Sequence, residues 1–182
     1  MVVSRAEFKI KGASLTFGFD FRGKKVLDIG SSTGGFTEFA LLSGALSVVA
    51  VEKGARQMKA PLRFDPRIEL HEKTDIFEFE TDDKFDVIMA DVSFVSLKPI
   101  LTRAKKFAFS STDFLVMLKP QFEALDSQLN RGVVKNEKMR REIIRDFEGW
   151  LKHNGFIINQ KRDNILAGKK GNIERFYWLN MV

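Results

Sequence analysis

Residues Val26-Leu27-Asp28-Ile29-Gly30-Ser31-Ser32-Thr33-Gly34-Gly35-Phe36-Thr37 constrain this chain more than any other stretch, because an apolar run closes on an acid and then turns through glycines into a helical pattern. Such a segment belongs at the carboxyl end of a parallel strand. Glycine there lets the backbone approach a ligand closely, and the following helix points its free N–H groups at it. The spacing is not the dinucleotide G-x-G-x-x-G, since Ser31, Ser32 and Thr33 separate Gly30 from Gly34 and Gly35, and no G-x-x-x-x-G-K-[ST] loop occurs. An aspartate at the strand end repels phosphate and suits an amine. S-Adenosylmethionine, with an ammonium group, a sulfonium and no phosphate, meets that requirement. Asp28, Gly30, Ser31, Ser32, Thr33, Gly34, Gly35, Phe36 and Thr37 are therefore expected to form its binding turn.

Strand-like and helical patterns alternate on either side of this turn. Strands are expected at Lys25–Ile29, Ser47–Val51, Ile68–His71, Asp86–Ala90, Asp113–Leu118, Phe156–Gln160 and Ile173–Asn180, and helices at Phe36–Ser43, Lys53–Ala60, Leu97–Phe107 and Glu137–Asn154. Alternation of this kind implies an α/β fold, a parallel sheet covered by helices on both faces. With 182 residues, 44% of them hydrophobic, the chain can bury roughly two-thirds of its unfolded surface as one domain over 1–182. Residues 1–24 form a basic N-terminal segment, and 121–135 read as a long loop, a feature that is usually functional when ordered.

In sheets of this type ligands bind beyond the carboxyl ends of the strands. Asp28, Glu52, Thr74 with Asp75, Asp91 and Lys119 follow successive strands and are all polar. Glu52 lies 24 residues after Asp28, about one βαβ step, where an acid accepts hydrogen bonds from ribose hydroxyls. An acid at a strand end can also simply cap the next helix. Asp75 is suited to an exocyclic adenine amine or, read blandly, to an acidic turn. Lys119 closes the apolar run Phe114-Leu115-Val116-Met117-Leu118, and an ammonium so placed is either exposed at the rim or paired with a carboxylate. Asp91 on the neighbouring strand is the natural partner. Such a pair can orient a hydroxyl and relay its proton during methyl transfer.

Charge is unevenly distributed. Residues 1–25 carry a net +4, 26–130 a net −4 and 131–182 a net +6, which would place a positive rim around a neutral or acidic pocket if both ends reach one face. Arg131, Lys135, Lys138, Arg140, Arg141, Arg145, Lys161, Arg162, Lys169 and Lys170 make up a possible phosphate-binding surface, or a solvated helix face. There is no cysteine, which removes disulfides and thiolate metal sites and fits a reducing compartment. No run approaches a membrane span or a signal peptide, so a cytoplasmic protein without stable membrane insertion is expected. His71 and His153 lack metal-ligand spacing, so no metal is expected. Most of the 18 phenylalanines read as core, Phe122 on the long loop being the exception.

Val3-Ser4-Arg5 with Lys9, the Asp28–Thr37 motif, Asp91-Val92-Ser93-Phe94-Val95-Ser96-Leu97, Leu118-Lys119-Pro120-Gln121-Phe122-Glu123 and Gly171-Asn172-Ile173-Glu174 together resemble the TlyA-like branch of the FtsJ-type ribose methyltransferases. The resemblance covers nearly the whole chain. It implies a seven-stranded, mostly parallel, Rossmann-like sheet that uses S-adenosylmethionine to methylate ribose 2′-hydroxyls of ribosomal RNA, with ribosomal RNA or ribosomal subunits as partners. Its Lys-Asp-Lys-Glu catalytic set falls on Lys9, with Lys11 the weaker claimant, and on Asp91, Lys119 and Glu174. By resemblance, Lys119 acts on the target hydroxyl, Asp91 and Glu174 fix the lysines, and Lys9 assists substrate placement. Family members usually carry a small RNA-binding S4 domain ahead of this one, for which the chain as given leaves no room, and Ala6-Glu7 replaces the family's glycine pair. Because members are also labelled hemolysins, a membrane-lytic protein is a rival reading. A non-catalytic RNA-binding module that keeps the fold, or a small-molecule methyltransferase, are others.

Overall fold

The computed structural model describes residues 5–168 and 170–182; Val3 and Ser4 of the N-terminal motif, Lys169 of the basic cluster and the Arg5 side chain lie outside that description. Among the described residues the order is α1 (Arg5–Phe17), β1 (Lys25–Ile29), α2 (Gly35–Leu42), β2 (Ser47–Glu52), β3 (Ile68–Glu72), β4 (Phe85–Ala90), α3 (Leu97–Ala104), β5 (Ala108–Leu118), β6 (Leu129–Asn130), β7 (Val133–Val134), α4 (Glu137–His153), β8 (Phe156–Asp163) and β9 (Arg175–Met181). Seven strands form one sheet in the order β3-β2-β1-β4-β5-β9-β8, and β6 with β7 forms a separate hairpin. Pairing is parallel from β3 to β5, whereas β9 runs antiparallel to both β5 and β8. The sheet is thus the mostly parallel, seven-stranded one expected, with β9 its single reversed strand.

Strands buried on both faces read as nearly continuous apolar runs, and β1, β2 and β4 do so. Alternate residues pack on opposite sides. Val26, Val48, Val87, Met89 and Leu115 meet Ile10, Ala13 and Phe17 of α1 and Phe36, Phe39 and Ala40 of α2. Leu27, Val49, Ile88, Phe114 and Val116 meet Leu97, Ile100 and Leu101 of α3 and Ile144, Phe147 and Leu151 of α4. Asp28 falls on the α2 side by the same alternation.

Four expectations need correction. The expected helix Lys53–Ala60 does not form. The Gly54 N–H instead goes to Glu52 Oε1 at 2.6 Å, the Gln57 N–H goes to Glu72 Oε1 at 3.0 Å, and Arg56 takes φ +55°. Carboxylates outbid the helix for its first donors. The basic N-terminal segment, to which no helix was assigned, contains α1. Its buried Ile10, Ala13, Ser14 and Phe17 follow helical spacing, but Phe8 and Leu15 stay 54% and 73% exposed and blur the pattern. The 121–135 loop is built from short 3-10 turns and the β6–β7 hairpin. Finally, β5 and β8 run beyond their expected ends, and the last strand begins at Arg175, leaving Glu174 just outside it.

Candidate active site

The parallel strands β1, β2, β3, β4 and β5 end along one edge, and a cavity of about 770 Å³ opens there. Gly30, Ser32, Glu52, Asp75, Asp91 and Phe94 are on its wall. The glycine turn is fixed from both neighbouring strands, because the Gly30 N–H reaches the Val51 carbonyl at 2.9 Å and the Asp91 N–H reaches the Ile29 carbonyl at 3.1 Å. Gly30 has φ +81°, and a Cβ there would sit 3.0 Å from the Asp91 carbonyl oxygen. Only glycine fits such a conformation and approach without strain.

Of the turn residues, Gly30 and Ser32 face the cavity, while Asp28, Ser31, Thr33, Gly34, Gly35, Phe36 and Thr37 are not on its wall. Gly34 is the left-handed N-cap of α2 at φ +93°. Phe36 is core and stacks on Phe176 with ring centroids 5.9 Å apart. Asp28 is completely enclosed. One of its oxygens accepts the Thr37 hydroxyl at 2.5 Å and the other has no hydrogen-bond partner. Burial, reinforced by the nearby Asp91 and Glu52 carboxylates, raises its pKa to about 7 against the pull of Thr37. The direct contact with an amine expected of Asp28 is not met, because the carboxyl group is buried behind the turn and off the cavity wall.

Glu52 does line the cavity, and its Oε2 accepts the Ser32 N–H at 2.8 Å while Oε1 accepts the Gly54 N–H at 2.6 Å and the Gln57 amide at 3.1 Å. Carboxylate oxygens keep further lone pairs for a ligand hydroxyl. Thr74 and Asp75 lie on the same wall. Lys53, at 2.9 Å, and then the Phe77 N–H hold the Asp75 carboxyl below its usual range. A floor of glycine with acids on both sides suits a nucleoside rich in hydroxyl and amino groups and disfavours polyphosphate.

Two ion pairs carry the expected catalytic residues. Lys119 Nζ is 2.6 Å from Asp91 Oδ1 and donates to Ser93 Oγ at 2.8 Å. Lys9 of α1, rather than the exposed Lys11, pairs with Glu174. Asn164 also donates to Glu174, at 3.3 Å. Because Leu118 is registered against Arg175, the reversed strand β9 begins beside the end of β5, so Lys119 and Glu174 are neighbours at the same edge. All four residues, separated by up to 165 positions, converge there.

Residues that sequence reasoning passed over complete the rim. Phe94 is 91% exposed at φ +64° and lies against Phe122 with ring centroids 5.2 Å apart. Glu123 reaches the start of α3. Both stand in motifs quoted above, but only their exposure and contacts single them out. The basic cluster divides. Arg140 is 7% exposed and paired with Asp163 at 2.6 Å, Lys161 pairs with Glu148, and Arg162 is tied to the Gly12 carbonyl, while Arg131, Lys138, Arg145 and Lys170 are exposed.

Known proteins resemble this chain over nearly its whole length. The profile of the FtsJ-like methyltransferase family matches residues 2–181. The 23S rRNA (cytidine-2′-O)-methyltransferase TlyA of Campylobacter jejuni is 36% identical over 97% of this chain and 70% of that protein. The 16S/23S rRNA (cytidine-2′-O)-methyltransferase TlyA of Mycobacterium tuberculosis is 34% identical over 97% of this chain and 68% of that protein. Among solved structures, a candidate hemolysin from Streptococcus thermophilus superposes with a TM-score of 0.94 at 30% identity, covering 99% of this chain and 67% of that one.

Proposed function

The chain belongs to the FtsJ-like methyltransferase family, and on that premise we propose that it methylates ribose 2′-hydroxyls of ribosomal RNA with S-adenosylmethionine as donor. One observation carries the reading: Lys119 is held at 2.6 Å by Asp91, which itself lines the cavity beside the glycine turn. The names of the relatives from Campylobacter and Mycobacterium support the substrate class. Such an enzyme works where ribosomes are, in the cytoplasm. Among the described residues no helix is long and apolar enough to cross a membrane.

Gly30 and Ser32 would cradle the methionine half of the donor, Glu52 would accept from its ribose hydroxyls, and Asp75 with Thr74 would meet its adenine. When bound, the donor supplies an electrophilic methyl group on a sulfonium, whose carbon–sulfur bond breaks with the electron pair returning to sulfur. Lys119 orients the attacking 2′-hydroxyl. In its neutral form the amine takes the hydroxyl proton, and in its charged form it stabilises the developing alkoxide while the proton passes to the Asp91 carboxylate beside it. Asp91 and Ser93 fix that amine, and Lys9 with Glu174 bounds the other side of the substrate entrance. Correct placement of such groups is worth about 10²–10⁴ in rate. Exposed Phe94 offers a face on which a base of the substrate can stack.

The test uses ribosomal subunits and a donor with labelled methyl. Nuclease digestion and nucleoside mass spectrometry should find the label on a ribose 2′-oxygen. Label on a base or on protein would refute the assignment. Calorimetry should also show that Glu52→Ala binds the donor at least about tenfold more weakly than the wild type. Equal affinity would show that the cavity is not the donor site.

A further inference from the structure

The Lys119–Asp91 pair joins two loops that leave adjacent parallel strands, 91–96 after β4 and 119–123 after β5. Besides the contacts of Lys119 itself, the Phe94–Phe122 ring contact and Glu123 join this region across the two loops. The Glu123 Oε1 accepts the Leu97 N–H at 2.6 Å, and Oε2 accepts the Ser96 hydroxyl at 2.7 Å. Ser96 is already the N-cap of α3, its hydroxyl oxygen accepting the Lys98 N–H at 3.2 Å. Glu123 adds to that cap a bond from a different loop. Burial holds its carboxyl above the usual range, opposed by the Ser96 and Leu97 donors. Desolvation of the acid offsets part of what its two hydrogen bonds contribute, and helix capping alone does not need it.

We propose that Glu123 is a positioning residue: by pinning loop 119–123 to the first turn of α3 it holds Lys119 within reach of Asp91 and of the target hydroxyl. The inference rests on the reading of Lys119 and Asp91 given above. Its consequence is that capping and catalysis are separable. An aspartate at position 96 is itself a good N-cap and returns negative charge to the helix start, but it does not join the two loops.

The experiment compares the wild type with Lys119→Ala, Glu123→Ala, Glu123→Gln and the double variant Ser96→Asp/Glu123→Ala in thermal unfolding, donor calorimetry and methyl transfer to ribosomal subunits. Glu123→Ala should lower both the unfolding midpoint and the turnover at saturating donor, the latter by at least about tenfold, since small misplacements of catalytic groups cost this much. The double variant should regain the midpoint and bind the donor within about threefold of the wild type, yet keep the turnover defect. Glu123→Gln, whose amide can still accept from Leu97 and donate to Ser96, should recover part of the turnover. Recovery of turnover together with the midpoint in the double variant would reduce Glu123 to a helix cap and overturn the proposal, as would full turnover in Glu123→Ala. If Glu123→Ala does not fold, the double variant decides alone. Full turnover in Lys119→Ala would instead defeat the reading of the site, whatever Glu123 does.

Discussion

A carboxyl group enclosed as fully as that of Asp28 titrates with the fold. Its pKa of about 7 lies above the ordinary aspartate value of 3.8, so between those values the folded chain binds more proton than the unfolded one. Stability from this group is present below about 3.8 and is lost as pH rises through about 7, at up to ~1.4 kcal/mol per pH unit. Asp28→Asn should therefore flatten the fall in unfolding midpoint between about pH 4 and pH 7, and a slope equal to that of the wild type would contradict the assignment. At the neighbouring rim, Phe94→Ala should weaken RNA binding on the order of tenfold, as loss of one stacking face does, in a filter-binding titration. Glu52, Asp91 and Lys119 were legible as candidates because a polar residue ending an apolar strand is conspicuous, whereas the burial of Asp28 behind the turn was not. Phe94 and Glu123 were not, since one is distinguished by exposure and a positive φ and the other by what it touches across two loops.

At the level of elements, the glycine turn gives a sharp test of the strand–turn–helix geometry. Gly30→Ala must accept a left-handed residue whose Cβ meets the Asp91 carbonyl oxygen at 3.0 Å. A cost of about 1–3 kcal/mol is expected, together with weakened donor binding, because Gly30 and the Asp91 residue it would push against both line the cavity. A wild-type unfolding midpoint would show that the turn is looser than described. The central strands were readable as apolar runs. Helix α1 was not, because two of its apolar side chains face outward, and the helix expected over Lys53–Ala60 was not realised, because the Glu52 and Glu72 carboxylates claim backbone donors in that segment. Amphipathic periodicity reports burial, and side-chain competition for N–H groups is invisible to it.

Across the whole molecule, the reversal of β9 decides where Glu174 falls. Had β9 run parallel, Glu174 would have begun its strand at the far edge, away from Lys119; antiparallel pairing with β5 brings it beside that lysine, and α1 then delivers Lys9 to it. No local pattern reveals a strand's direction, so the convergence of Lys9 and Glu174 with Asp91 and Lys119 was implied by resemblance alone. The exposed Arg131, Lys138, Arg145 and Lys170 predict methyl transfer to RNA that slows steeply with added salt, as phosphate contacts do, and vesicles of anionic lipid should not leak their dye at matching protein concentrations. The central claim is tested most directly by single-turnover methyl transfer from labelled S-adenosylmethionine to ribosomal subunits, with wild type and Lys119→Ala compared at equal donor occupancy. The account predicts that removing the amine lowers the rate by about 10²-fold or more with donor affinity near that of the wild type. Transfer at an undiminished rate would contradict it.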